Sequence, residues 1–302
     1  MRVGILGGGR WGQALGRLVL AAGNEPLIAY RDRKEKPPHL LPSTTDARAV
    51  AASCELLLVA TSAKEVRQAV GLAQPGPNNR VVVTGRGLEP GTGLWLSQVV
   101  ETCSPVLRVG ALAGPAPVDE ILNGGLCAGV VASPFDEVRQ LIQQALHSSR
   151  YRVYQTDDLR GVELSSAIVP VLAMLIGVAK TLSGSGVGMH AMVLARGLAE
   201  ASRVAQAVGG RGETVAGLAG MANLVATHGA PGSRYFDLGV RLARGEKVAP
   251  ESFAGARALR DIALACHAEL PLTQALVAIG DGLSPLDAVQ GLMARDAMPE
   301  RW

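Results

Sequence analysis

Residues 2–6, RVGIL, run straight into GGGRWGQALG at residues 7–16, and this junction constrains the fold more than any other stretch of the chain. Gly7, Gly9 and Gly12 have the spacing G-x-G-x-x-G. In that spacing the first glycine permits a tight turn, the second lets backbone approach a pyrophosphate, and the third lets a helix pack close to the turn. The flanks agree with this use: RVGIL is strand-like, and Trp11 to Ala22 carries apolar residues at helical spacing. A strand, a glycine turn and a helix N-terminus make an anion site, because the first N–H groups of a helix have no intrahelical partner. The junction therefore predicts a dinucleotide-binding loop rather than a structural turn.

The rest of the chain extends that start. Up to about residue 156, β-rich runs alternate with helical stretches: PLIAY (26–30), CELLLVA (54–60), RVVVTG (80–85), VLRVG (106–110), LCAGVVA (126–132) and YRVYQ (151–155). Alternation of this kind belongs to a parallel sheet covered by helices on both faces. Residues 31–43 are polar, hold three prolines and are too short for a full crossover helix. Beyond residue 157 the pattern turns to long Ala- and Leu-rich helical periods at 158–181, 187–208, 251–267 and 284–294. The predicted fold class is α/β: an N-terminal Rossmann-like doubly wound parallel sheet over 1–156, followed by an all-α C-terminal domain over 157–302.

Charge and cysteine usage narrow the function. The 29 Lys and Arg nearly balance the 26 Asp and Glu, which leaves no electrostatic case for nucleic acid. Cys54, Cys103, Cys127 and Cys266 are far apart and form no C-x-x-C pair, so free thiols are expected and no metal site. The N-terminus has no secretory pattern, and cytoplasmic location is the expectation. LSSAIVPVLAMLIGVA (164–179) has no charge but is short for a bilayer and holds Pro170, so it reads as a buried core helix and not a membrane span. At the end of the second strand Arg31 and Arg33 flank one acid, Asp32, which favours NADP over NAD because arginine accommodates a 2′-phosphate.

Longer motifs carry a family likeness across nearly the whole chain. GVELSSAIVPVLA (161–173), ARGLAEASRVAQAVGG (195–210), GLAGMANLVATHGAPGSR (217–234), ESFAGARAL (251–259), ELPLT (269–273) and GLMARDAMPE (291–300) follow the glycine loop in order. The series resembles the NAD(P)-dependent glycerol-3-phosphate dehydrogenases. The resemblance implies a cytoplasmic, usually dimeric enzyme that interconverts glycerol 3-phosphate and dihydroxyacetone phosphate. It places Gly7, Gly9, Arg10, Trp11, Gly12, Arg31, Arg33 and Glu251 with the cofactor, and Arg86 and Arg234 with a small phosphorylated substrate or other anion.

The proton-handling positions depart from the family. Its lysine-asparagine pair after GVEL is Val169-Pro170 here, its aspartate is Asn223, and its strand-end lysine is Arg86. Valine transfers no proton, proline lacks even a backbone N–H, and an amide does not titrate near neutral pH. Thr227 keeps its place, and the residue after Arg234 is Tyr235 where the family has asparagine. Lys180, His190 and His228 are the candidates to replace the lost donor, with His228, next to Thr227 in a loop, favoured since imidazole titrates near neutral pH. The catalytic set is then Asn223, Thr227 and His228. Two readings stay open: an NAD(P)-dependent oxidoreductase with impaired or altered chemistry, and a catalytically degenerate dinucleotide-binding protein acting as a sensor or through a partner.

Overall fold

A computed structural model describes residues 1–31, 41–182, 186–229 and 232–295. The chain divides into two compact units, residues 1–163 and the remainder from Leu164.

The first unit is built on an eight-stranded sheet: β1 (Arg2–Leu6), β2 (Glu25–Ala29), β3 (Ser43–Thr44), β4 (Leu56–Val59), β5 (Arg80–Val83), β6 (Arg108–Ala113), β7 (Cys127–Ala132) and β8 (Tyr151–Thr156). Their order is β3-β2-β1-β4-β5-β6-β7-β8. The chain winds outward from β1 through β2 to β3, then returns to the far side of β1 to start β4. The switch point of the sheet thus falls between β1 and β4, at whose carboxyl ends a doubly wound fold takes its ligand. Both faces are covered, so the central strands are apolar throughout: Leu56, Leu57, Leu58 and Val59 are all fully buried.

Two features differ from the sequence reading. Strand β3 was not expected; its two residues pair with Ile28 and Ala29 and carry no periodicity of their own. The sheet is also not wholly parallel, because β7 runs antiparallel to β6. The only helix between them is Val118–Leu122. Five helical residues rise about 7.5 Å, against about 20 Å for a six-residue strand. The connection holds no full crossover helix, and the next strand pairs from the opposite end.

Glu163 ties the end of this unit to the helix Leu96–Cys103. The helix Leu159–Thr181 begins here, and its Glu163 carboxylate accepts both the backbone N–H and the hydroxyl of Ser97 at 2.8 Å. Arg160 pairs with the same carboxylate at 2.8 Å. Burial pushes the Glu163 carboxyl above its ordinary value despite these partners.

The second unit is helical. Besides the remainder of Leu159–Thr181 it holds Val187–Ala207, Asn223–Gly229, Arg234–Ala243, Ala254–Ala265, Pro271–Gly280 and Pro285–Met293 among the described residues. The long apolar helix Leu159–Thr181 has the length and composition of a membrane span, yet 94% of its most apolar window is buried inside the protein. Close approach matters here: a Cβ on Gly239 would stand 1.9 Å from the Met174 carbonyl oxygen, so glycine is what lets Arg234–Ala243 lie against that helix. Pro271–Gly280, which the sequence pattern did not reveal, is held at its start by Glu200. The buried Glu200 carboxyl accepts the Leu272 N–H at 3.1 Å.

Burial raises the Glu200 carboxyl to about 8. An acid whose folded pKa exceeds its unfolded value binds more protons folded than unfolded, so stability falls as pH rises between the two. Thermal melts of Glu200→Gln, which keeps an acceptor and cannot ionise, should lose less stability than wild type from pH 4.5 to about 8. Parallel curves for the two proteins over that range would contradict this assignment.

Candidate functional site

At the switch point, β1 delivers the chain into the glycine loop. Gly7 has φ +116°, a left-handed backbone that side chains disfavour, and a Cβ there would lie 2.8 Å from the Ala60 carbonyl oxygen. Gly12 lies in the first turns of the helix Arg10–Ala21, where a Cβ would stand 1.9 Å from the Gly7 carbonyl oxygen. Only glycine lets the helix come so near its own loop. Gly9 is the opposite case, since no heavy atom lies within 4 Å of the place its Cβ would take.

Gly9 is also the N-cap of that helix, which has no side-chain cap and no acid in its first turn. Open space in front of uncapped N–H groups at a positive helix end is what a pyrophosphate requires. The residues present therefore fit a dinucleotide. Gln13 stiffens the loop by donating its amide to the Gly8 carbonyl at 3.1 Å.

The neighbours of the loop are anchored individually. Trp11 donates its indole N–H to the Thr84 hydroxyl at 2.8 Å, and Thr84 donates in turn to the Val59 carbonyl at 2.8 Å, which fixes the helix start to the ends of β4 and β5. Arg10 pairs with Asp119. Tyr30 follows β2 and is buried with its ring over Gly8, where a Cβ would lie 2.0 Å from the ring. Arg31, next in the chain, is paired through Nη1 with Glu65 Oε1 at 3.2 Å. Arg33 lies outside the described residues. Arg86 is half-buried in the turn after β5, followed by Gly87 at φ +103°.

In the helical unit, the position of the family's lysine is closed. Val169 is 0% exposed within an apolar helix, and Pro170 beside it is buried too. Asn223 and Thr227 are buried and come together: the Thr227 hydroxyl and Asn223 Oδ1 are 3.3 Å apart, and Asn223 donates to the Ala219 carbonyl at 3.2 Å. Both begin and end in one helix, Asn223–Gly229, which also carries His228; the sequence reading had put Thr227 and His228 in a loop. The correction has a local cause, since residues four apart face one side of a helix and the hydrogen bond between them is helical in spacing.

The three candidates for a replaced donor converge. The His228 and His190 rings meet edge to face with centroids 4.8 Å apart, from helices far apart in the chain. Lys180 has its ammonium 5.4 Å from the Phe236 ring centroid, and its charge acts on His228. Burial first, then His190 and Lys180, lower the His228 pKa below its ordinary value, so the neutral base form prevails at neutral pH. Arg234 is exposed at the first turn of its helix, its guanidinium 6.0 Å from the Tyr235 ring centroid. Glu251 is exposed in the short helical turn Pro250–Phe253. Thr84, Tyr30, Glu65 and Ser62 were not singled out from sequence; each acts through strand-end adjacency, which residue spacing does not reveal.

Comparison with known proteins gives a consistent picture. Residues 158–290 match the family model described as NAD-dependent glycerol-3-phosphate dehydrogenase C-terminus, and residues 33–139 match its N-terminus. The second match begins after the glycine loop, so the loop rests on its own geometry and on the full-length relatives. Glycerol-3-phosphate dehydrogenase (NAD(P)+) of Paucimonas lemoignei is 34% identical over 331 aligned residues, covering 99% of this chain and 98% of that protein. The like-named protein of Thermobifida fusca is 32% identical over 100% of this chain and 99% of its own length. Among solved structures, glycerol-3-phosphate dehydrogenase from Coxiella burnetii superposes with a TM-score of 0.88 at 25% identity, covering 97% of this chain and 99% of that one.

The packing at the loop predicts different effects for two similar substitutions. Gly12→Ala should destabilise the protein by about 2 kcal/mol or more in chemical denaturation, because overpacking against backbone has little room to relax. Gly9→Ala should stay within about 0.5 kcal/mol of wild type, its new methyl meeting only solvent. Equal losses would show that the helix does not depend on that contact.

Proposed function

The chain belongs to the NAD-dependent glycerol-3-phosphate dehydrogenase family, and from that premise we propose that it is an NAD(P)-dependent oxidoreductase acting on glycerol 3-phosphate and dihydroxyacetone phosphate or a close phosphorylated relative, with its proton chemistry rebuilt around His228. The observation that carries this reading is the loop: an open Gly9 before an uncapped helix N-terminus at the switch point of a doubly wound sheet. A bound NAD or NADP supplies a hydride acceptor or donor. Everything else falls to side chains of this chain.

Oxidation of a secondary alcohol needs a base for the hydroxyl proton as hydride leaves carbon. Val169 and Asn223 offer none. His228, held neutral by burial and by the positive groups beside it, is suited to accept that proton. The Asn223–Thr227 pair is neutral and orients a hydroxyl without titrating. Arg86 and Arg234 are each suited to bind a phosphate, since a guanidinium offers paired donors to phosphoryl oxygens. The same reading carries a soluble cytoplasmic enzyme working as a homodimer.

One observation favours a second reading. The fully buried Val169 closes the place from which the family's proton donor acts, as expected if the chain binds a dinucleotide as a sensor or through a partner without turning substrate over.

A pH profile separates them. Glycerol 3-phosphate oxidation followed at 340 nm should rise with pH through an apparent pKa below 6.5 and then level, because the base form of His228 is required. His228→Asn should lower kcat/KM by about 100-fold or more and abolish that inflection. Wild-type turnover unaffected by His228→Asn would contradict the rebuilt base, and nucleotide binding with no turnover of either substrate would favour the second reading.

A further inference from the structure

Strands β2 and β4 lie on either side of β1, so the segments leaving their carboxyl ends flank the glycine loop. Arg31 leaves β2, and Glu65 closes the short turn Ala63–Glu65 that follows β4. Their pairing at 3.2 Å therefore runs from one neighbour of β1 to the other, across the strand end that carries the loop. In a Rossmann unit the acid that binds the ribose hydroxyls normally comes from the end of the second strand itself. Here the residue at that strand end is an arginine, and a carboxylate reaches it from the opposite side.

Glu65 is a fixed anion. The Ser62 hydroxyl donates to its other oxygen at 2.5 Å, and this bond, helped by the Arg31 and Lys64 charges, holds the carboxyl below its ordinary range. One carboxylate oxygen is thus committed to Ser62 and the other faces the guanidinium. A dinucleotide phosphorylated on its adenosine ribose brings a dianion to Arg31, where it meets both the paired donors it needs and the carboxylate that already holds them. A dinucleotide with a free 2′-hydroxyl brings a donor instead, which the carboxylate can accept.

We propose that Glu65 sets the choice between NADP and NAD by competing with the 2′-phosphate for Arg31 while accepting from the free ribose hydroxyl. Ser62 is the positioning residue that keeps the carboxylate in place. The inference rests on the dinucleotide reading of the loop, and it assigns to Glu65 a role that lies outside the usual second-strand position.

The test is a set of equilibrium titrations of NADPH and NADH, followed by nicotinamide fluorescence at low salt, on wild type and three variants. Glu65→Gln keeps size and an acceptor but removes the charge, and should tighten NADPH about fivefold or more while leaving NADH within about twofold, since a competing ion pair is lost and a like-charge repulsion is relieved as well. Ser62→Ala should move NADPH in the same direction by less. Arg31→Met should weaken NADPH about tenfold and NADH little, the loss of one charge-assisted pair. An unchanged NADPH to NADH ratio in Glu65→Gln, with both nucleotides binding, overturns the role of Glu65 alone. Wild-type protein that binds neither nucleotide overturns the reading of the loop and this inference with it.

Discussion

The contact on which the first unit depends is between a glycine with no side chain and a carbonyl oxygen. Where Gly12 faces Gly7, a single methyl group would come within 1.9 Å of backbone. This approach lets the helix Arg10–Ala21 start directly at the end of β1, with its N–H groups facing the space in front of Gly9. From that one closeness follow the direction of the helix dipole, the position of Trp11 against Thr84, and the exposure of an uncapped helix end at the switch point of the sheet. An anion is the natural complement of such an end.

The helical unit shows a different economy. The charged or titrating groups expected of this family at its lysine and aspartate positions are replaced by valine and asparagine, and both replacements are packed into the core. His190, His228 and Lys180 are assembled into one cluster from three helices. Burial and the neighbouring charges resist protonation of the His228 imidazole.

How much of this could be read from sequence follows from how local each signal is. The glycine loop, the strands around it and the long helical periods were legible, because each is encoded by spacing within a dozen residues. The loss of the lysine at Val169 was visible through family likeness, while its complete burial was not. Strand β3 escaped because two residues show no period, and the antiparallel turn of β7 escaped because an apolar run of six does not record its direction. The Arg31–Glu65 bridge joins residues 34 apart with no spacing signal. It exists because β2 and β4 are both neighbours of β1, a fact of topology. The His190–His228 contact is hidden in the same way, each histidine looking solitary on its own helix. The loop assigned to Thr227 and His228 was overturned by a seven-residue helix whose Gly and His content is poor in helix formers.

The most direct measurement compares dinucleotide binding to wild type and Gly9→Asp. Aspartate is a favourable N-cap, so this variant should be as stable as wild type or more so. Its carboxylate would fill the open space and satisfy the helix end from within. If the loop holds a pyrophosphate, wild type shows saturable enhancement of NADPH or NADH fluorescence and Gly9→Asp, though folded, shows none. Equal binding by the two proteins, or none by wild type, would contradict the account at its root.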